Sequence, residues 1–368
     1  MAGLLAAVLG LIAVAELSAR GYLLVRGIPA GRYISATAAV REARAAASAG
    51  FDTEYPYLPF RPAPGRTAAP SVDSLGFVGP ETGWEPPPGA FRVIFAGGSM
   101  VYDGLFPSAA DSCLDALLSG GACGFDSCQA LISSAPTWTT AENLVYYAIR
   151  GVYARPHAIV LYVAVNDVYA MSHPDSVTTE PDYSHYRSRW MPVAPAPWDR
   201  IPGWADSSRA VALARYALDR LFYPGVLGSP PRRLGLRYEY DPGQVVGTGF
   251  GSYVAGLEAI AAIAESRGTR VFLVSELQEP SLSSGPAMVA AVDDLNAAAA
   301  EVAARHSAKG LVSFVDAASL ITADSTTMAD KSHLTPEGGR RLGALVAGEI
   351  FRSLQTAAST GGSAGTAP

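Results

Sequence analysis

Arg92-Val-Ile-Phe-Ala-Gly-Gly-Ser99 carries an apolar run into two glycines and a serine. From Val93 on, the run is apolar without alternation, as in a strand covered on both faces. The two glycines let the backbone turn sharply and leave the serine side chain exposed at the strand end. Outward from this stretch the same kind of run recurs four times: Gln129–Ser133 (QALIS), Ala158–Val165 (AIVLYVAV), Thr269–Ser275 (TRVFLVS) and Leu311–Asp316 (LVSFVD). Helical patterns separate them. One opens on a capping box, Thr139-Thr-Ala-Glu142, and extends to about Tyr153. Others cover about 252–267, 287–306 and 336–354. The last has Thr335 as N-cap, Pro336 at the first helical position, and Leu342, Leu345, Val346 and Ile350 on one face. Strands alternating with helices predict an α/β fold, a three-layer α/β/α sandwich on a five-stranded parallel sheet with right-handed crossovers.

Composition narrows the classes of function. The chain has 368 residues, 49% hydrophobic and 16% charged, which excludes a wholly disordered protein. A net charge of −6 argues against a surface built for nucleic acid. Three cysteines (Cys113, Cys123, Cys128) are too few for a disulfide scaffold and lack zinc spacing. Cys123 and Cys128 pair if the domain is exported; free buried thiols are the other reading.

Open parallel sheets bind ligands at the carboxyl ends of their strands. After the first strand come Gly97-Gly98-Ser99; after the second, Ser134-Ala-Pro-Thr137-Trp138; after the third, Asn166-Asp167; beyond the fifth, Asp330-Lys-Ser-His333. A serine, an asparagine, an aspartate and a histidine thus gather at one sheet edge. They make up the inventory of acyl transfer: nucleophile, oxyanion donor, orienter and base. Asp167 reads as a structural hydrogen-bonder. His157, His173, His185 and His306 lack an Asp-x-x-His context and read as structural. Trp138, Tyr102 and Tyr169 either line a sugar-binding cleft or pack against the core.

Three blocks, VIFAGGS (93–99), VAVND (163–167) and DKSHLTPEGGRRL (330–342), resemble the SGNH hydrolase superfamily, the GDSL-type esterases. The resemblance spans about residues 73–354. It includes a lead-in, Asp73-Ser-Leu-Gly-Phe-Val-Gly-Pro80, of the kind found in membrane-tethered members. It implies a flavodoxin-like sheet and a serine hydrolase site with no metal or organic cofactor. Ser99 matches the nucleophile, His333 the general base and Asp330 its partner. The Ser99 N–H and the Asn166 amide match oxyanion donors. The implied activity is hydrolysis of a small, acetyl-like O-acyl ester. The alternatives are acyl transfer to a cell-envelope glycan by the same residues, or a degenerate member that binds glycan without catalysis. Departures from the pattern are GGS in place of GDS and Ala164 in place of a glycine. The third concerns the second block, where the family has a glycine whose N–H joins the oxyanion hole. Thr137 is the best match and Ala135 the second. A β-branched residue there restricts φ/ψ and crowds the acyl pocket, which points to a small acyl group or low activity.

The remaining organisation is peripheral. Residues 1–26 begin with an apolar run, Ala2–Ala15, and with Glu16 and Arg20 paired one turn apart they are long enough for a transmembrane anchor. A signal segment cut after Ala15 and a buried helix are the alternatives. Arginines after the run favour a cytoplasmic C-terminal side, whereas tethered hydrolases usually face outward; an extracytoplasmic domain is the expectation adopted. Residues 27–90 read as a Pro-rich connector, with a surface helix over 33–48. Residues 91–355 read as the hydrolase domain, with an insertion at about 170–250 that carries one helix near 207–222. Residues 356–368 read as a disordered tail.

Overall fold

Five strands form one parallel sheet: β1 (Ala90–Gly97), β2 (Ser127–Ser134), β3 (Ala158–Tyr162), β4 (Arg270–Val274) and β5 (Val312–Val315). Their order is β2-β1-β3-β4-β5, the doubly wound arrangement whose ligand crevice lies where the order reverses, between β1 and β3. The computed structural model describes residues 2–25, 50–52, 55–171, 208–222, 250–281 and 285–359. These fall into two units, Met1–Thr53 with Arg187–Tyr238, and Glu54–Tyr186 with Glu239–Pro368. The sheet lies in the second.

In that unit the helices are α2 (Ser99–Tyr102), α3 (Leu105–Leu118), α4 (Thr140–Ile149), α5 (Val165–Met171), α7 (Gly251–Ser266), α8 (Pro286–Arg305), α9 (Ala317–Leu320) and α10 (Pro336–Ser359). Phe91, Val93 and Phe95 of β1 pack with Phe106, Ala110 and Leu114 of α3 and with Leu342, Val346 and Ile350 of α10. Each of these side chains other than Ala110 contributes roughly 1.5–3 kcal/mol by leaving water. The opposite face is covered by α4, α7 and α8. Both faces of β1 are buried along its whole length, which is why its sequence does not alternate.

Small residues set how closely α10 approaches α3. A Cβ on Gly343 would lie 2.6 Å from the Ala109 Cβ and 2.7 Å from the Ala110 nitrogen, and one on Gly339 would lie 2.8 Å from the Leu105 Cβ. This close seating brings the loop before α10 against the turn that follows β1.

Arg92 is the exception in the apolar run, and it is fully buried. Its guanidinium donates to Gln129 Oε1 at 2.8 Å and to the carbonyls of Trp84 (2.6 Å), Glu85 (2.7 Å) and Ala154 (2.6 Å). Burial pushes its pKa down to about 10, against the opposing pull of Glu85 and Asp73. These bonds tie the Pro-rich stretch to the sheet. The lead-in docks as well: the Val78 N–H donates to the Ile132 carbonyl at 2.9 Å, and the Tyr146 hydroxyl donates to the Gly76 carbonyl at 3.0 Å. Leu58, Phe60, Val72, Phe77 and Val78 are buried, so this part of the chain packs on the domain.

Several expectations shift. The third strand stops at Tyr162 and Val165 opens a helix, because side chains satisfy the backbone beyond the strand. The Tyr253 hydroxyl donates to the Val163 carbonyl, and the Val165 N–H donates to Glu276. The last helix reaches Ser359 and so takes in the first four residues of the expected tail; residues 360–368 lie outside the described residues, as do 33–48 and most of 170–250. Cys113, Cys123 and Cys128 are free thiols, so Cys123 and Cys128 are not paired.

In the other unit, α1 (Ala2–Val25) and α6 (Arg209–Phe222) are described. Glu16 pairs with Arg20 at 2.9 Å, as its spacing predicts. It also accepts from the Ser208 hydroxyl and the Ala210 N–H, capping α6. Among the described residues no helix is long and apolar enough to cross a membrane. The anchor read from residues 1–26 is therefore without structural support.

Candidate active site

Each candidate side chain sits just past the carboxyl end of a strand or in the loop before α10. Ser99 is the first residue of α2, directly after β1. The Ser134 hydroxyl, at the end of β2, lies 2.9 Å from the Gly97 carbonyl and 2.7 Å from that of Gly98, and pins the turn. Gly97 has no room for a side chain, and Gly98 has none while the Asn166 amide keeps its place. A Cβ on Gly97 would lie 2.5 Å from the Tyr162 carbonyl, and one on Gly98 would lie 2.2 Å from Asn166 Nδ2. A side chain at position 98 would need the space that the Asn166 amide occupies.

His333 Nε2 lies 2.9 Å from Ser99 Oγ. Its Nδ1 lies 2.9 Å from Asp330 Oδ2 and 3.0 Å from Oδ1. A carboxylate only accepts, so the ring proton belongs on Nδ1, and Nε2 is left to accept from the serine hydroxyl. The loop holds this pair through its own backbone: the N–H groups of Ser332 and His333 donate to Asp330 Oδ1 at 2.9 and 2.8 Å, and the Ala329 N–H donates to the His333 carbonyl. Burial raises the Asp330 carboxyl, but those N–H groups and the ring outweigh it, leaving its pKa below the ordinary value. The orienting carboxylate is thus kept ionised. Thr335 caps α10 through the Gly338 N–H at 3.0 Å, which ends the loop at a rigid helix.

Asn166, in the first turn of α5, donates from Nδ2 to the Trp138 carbonyl at 3.0 Å. An amide carries two N–H bonds; this one fixes the orientation and leaves the second beside the Gly98–Ser99 turn. The Ser99 N–H, first in its helix, has no acceptor within that helix.

Thr137 adopts φ +64°. The Trp138 N–H donates to the Ala135 carbonyl at 3.2 Å, closing a turn with Pro136 second and Thr137 third. Positive φ at the third position is the glycine-favouring geometry of a type II turn. Thr137 therefore holds a glycine's conformation without being one, at a cost of order 1–3 kcal/mol. Ala135, the second match, is fully buried.

The other residues singled out in the sequence divide between packing and the rim of the site. Trp138 is buried and its indole N–H donates to the Phe60 carbonyl at 3.3 Å, so it is core. The Tyr102 hydroxyl accepts from Arg66 at 3.3 Å. Lys331 sits 5.1 Å from the Tyr169 ring centroid. Asp167 is buried and accepts the Thr140 N–H at 3.1 and 3.3 Å, capping α4 next to the Thr139–Glu142 capping box. His157 accepts the Arg92 N–H, and His306 faces Glu258 and Glu265; His173 and His185 lie outside the described residues. Among the described residues, no group of three His, Cys, Asp or Glu is placed to hold a metal ion.

Two residues near the site carry no motif. Asp103, whose carboxyl is pushed up by burial, lies in the neighbourhood of His333. Glu276, two residues past β4, is buried and accepts from α5. The signal for Glu276 was its place after the fourth strand, the one strand end to which no role was given.

No family model matches the sequence, and no curated protein matches it. Solved structures with a similar course of the chain include a lipase/acylhydrolase from Enterococcus faecalis (13% identity, 71% of this chain and 95% of that one, TM-score 0.41). Others are a GDSL-like lipase from Bacteroides thetaiotaomicron (12%, 73% and 89%, 0.37) and a catalytic mutant of an acetylxylan esterase from Geobacillus stearothermophilus (10%, 72% and 93%, 0.39). Likeness at this level assigns no chemistry to this chain, whose functional reading rests on its own side-chain geometry.

Proposed function

We propose that this protein is a serine-dependent hydrolase of small O-acyl esters. The observation that carries the reading is the contact of Ser99 Oγ with His333 Nε2 at 2.9 Å, with Asp330 on the other ring nitrogen. In this reading Ser99 Oγ attacks the ester carbonyl while His333 takes its proton. The carbonyl oxygen becomes an oxyanion held by the Ser99 N–H, the Asn166 amide and the Thr137 N–H. Collapse of the intermediate breaks the ester bond, and His333 returns the proton to the leaving alcohol. Water then attacks the acyl-serine by the same route, releasing the acid and restoring the hydroxyl. Asp330 keeps the imidazole in the tautomer that can act as base. A β-branched side chain at Thr137 supports a short acyl group, because the glycine it replaces would leave more room.

Replacing Ser99 with Ala tests the assignment. Turnover of p-nitrophenyl acetate is expected to fall by on the order of 10⁵-fold or more with the fold intact by circular dichroism. Unchanged turnover in that variant would remove Ser99 from the chemistry. The extracytoplasmic location read from the sequence is a separate proposal. A reporter active only outside the cytoplasm, fused to the C-terminus, is expected to be active; a silent reporter overturns it.

A further inference from the structure

Glu276 is a buried carboxyl that the reaction above does not use. It lies beyond β4, beneath the segment joining β3 to α5, and its backbone is clamped from α8: the Glu276 N–H donates to Asn296 Oδ1 at 2.8 Å and the Asn296 amide donates to the Glu276 carbonyl at 3.0 Å. Its Oε2 accepts the Val165 N–H at 2.9 Å, a donor at the start of α5 with no partner inside the helix. Its Oε1 is buried and has no hydrogen-bond partner among the described residues. The next two residues of α5 are Asn166 and Asp167. Asn166 meets Gly98 and the Trp138 carbonyl; Asp167 caps α4 immediately after the Thr137 turn. One carboxyl thus fixes the end of the helix from which both contacts extend.

We propose that Glu276 is a positioning residue: by holding the Val165 N–H it fixes α5, and with it the Asn166 amide, beside Ser99. This proposal rests on the hydrolase reading above. It also has a consequence for pH. Burial raises the Glu276 carboxyl to about 8, and the Asp167 carboxylate adds to the rise against the Val165 and Ala164 N–H groups. The titratable groups facing it are Asp167 on α5, Tyr162 on β3 and Tyr253 on α7; Asn296 on α8 is neutral. Near neutrality Glu276 is a neutral acceptor. Above pH 8 it becomes a second buried anion next to Asp167, and the repulsion bears on the first turn of α5.

The test is the pH profile of kcat and KM for p-nitrophenyl acetate in wild type, Glu276→Gln and Glu276→Ala. Glutamine keeps an acceptor for the Val165 N–H but cannot ionise. Glu276→Gln is expected to match wild-type kcat near pH 7 within about threefold and to lack the wild-type decline centred near pH 8. Glu276→Ala is expected to lose on the order of 10- to 100-fold in kcat, as for a displaced reacting group, with KM little changed. Thermal melts supply a second readout. A carboxyl held above its ordinary 4.5 retains a proton that the unfolded chain has given up. Wild type should therefore lose stability relative to Glu276→Gln as pH rises from about 4.5 to about 8. An alkaline decline that is identical in Glu276→Gln, or a folded Glu276→Ala with wild-type kcat, overturns the proposal. Wild type without turnover at any pH, by contrast, overturns the hydrolase reading itself.

Discussion

The two halves of the site are held in opposite ways. On one side, Asp330 and His333 sit in a partly exposed loop, three residues apart, and the loop's own backbone N–H groups fix their geometry. On the other, Asn166 and Thr137 are placed by contacts between elements distant in sequence: Gly98 with Asn166, Asp167 with Thr140, Glu276 with Val165. In the proposed reaction the base needs a particular tautomer, which a local carboxylate can set. Oxyanion donors need a fixed distance to a point in space, which only packed, buried elements provide. Substitutions on the first side should thus change chemistry with little effect on folding, whereas those on the second should couple the two.

The largest expected effect tests the loop side. His333→Ala should lower kcat by on the order of 10⁵- to 10⁶-fold while leaving the melting temperature within a few degrees, because the ring is part-exposed. A large loss of stability would show that the loop is more than a carrier of the base. The intermediate effect tests the buried side. Gly98→Asp makes the turn Gly-Asp-Ser, and its Cβ would meet Asn166 Nδ2 at 2.2 Å. It should therefore cost on the order of 10²- to 10³-fold in kcat, as does removing one oxyanion donor. Gain of activity in Gly98→Asp would mean that the Asn166 amide is not where the reaction needs it. The smallest effect concerns strain. Thr137→Gly relieves a β-branched residue at φ +64° and should stabilise the fold by roughly 1 kcal/mol in denaturant melts, after the entropic cost of glycine. It should also improve turnover of longer acyl chains relative to acetate. Loss of stability would show that the Thr137 side chain is doing something that glycine cannot.

The same contrast governs what the sequence disclosed. The sheet and its helices were legible because each strand has an apolar centre without strict alternation, and because Thr139–Glu142 and Thr335–Pro336 mark their helix starts directly. Ser99, Asp330 and His333 were legible because their spacing is local or lies at a strand end. Arg92 as the tie for the Pro-rich stretch was hidden, since its partners are backbone carbonyls that no residue type announces. Glu276 stands at a strand end, but its partner was hidden for a related reason: the carboxyl serves a backbone N–H more than a hundred residues away. Thr137 was suggested only by the resemblance, as the best match ahead of Ala135, and its left-handed backbone is a property of the turn. The early end of β3 likewise follows from side chains of other elements capping Val163 and Val165.

The most direct measurement is peptide mapping of the protein after reaction with a fluorophosphonate probe, read by mass spectrometry. The account predicts a single adduct on Ser99, formed rapidly in wild type and only slowly in His333→Ala. An adduct on a different serine, or none on Ser99 in a folded protein that still hydrolyses esters, would contradict it.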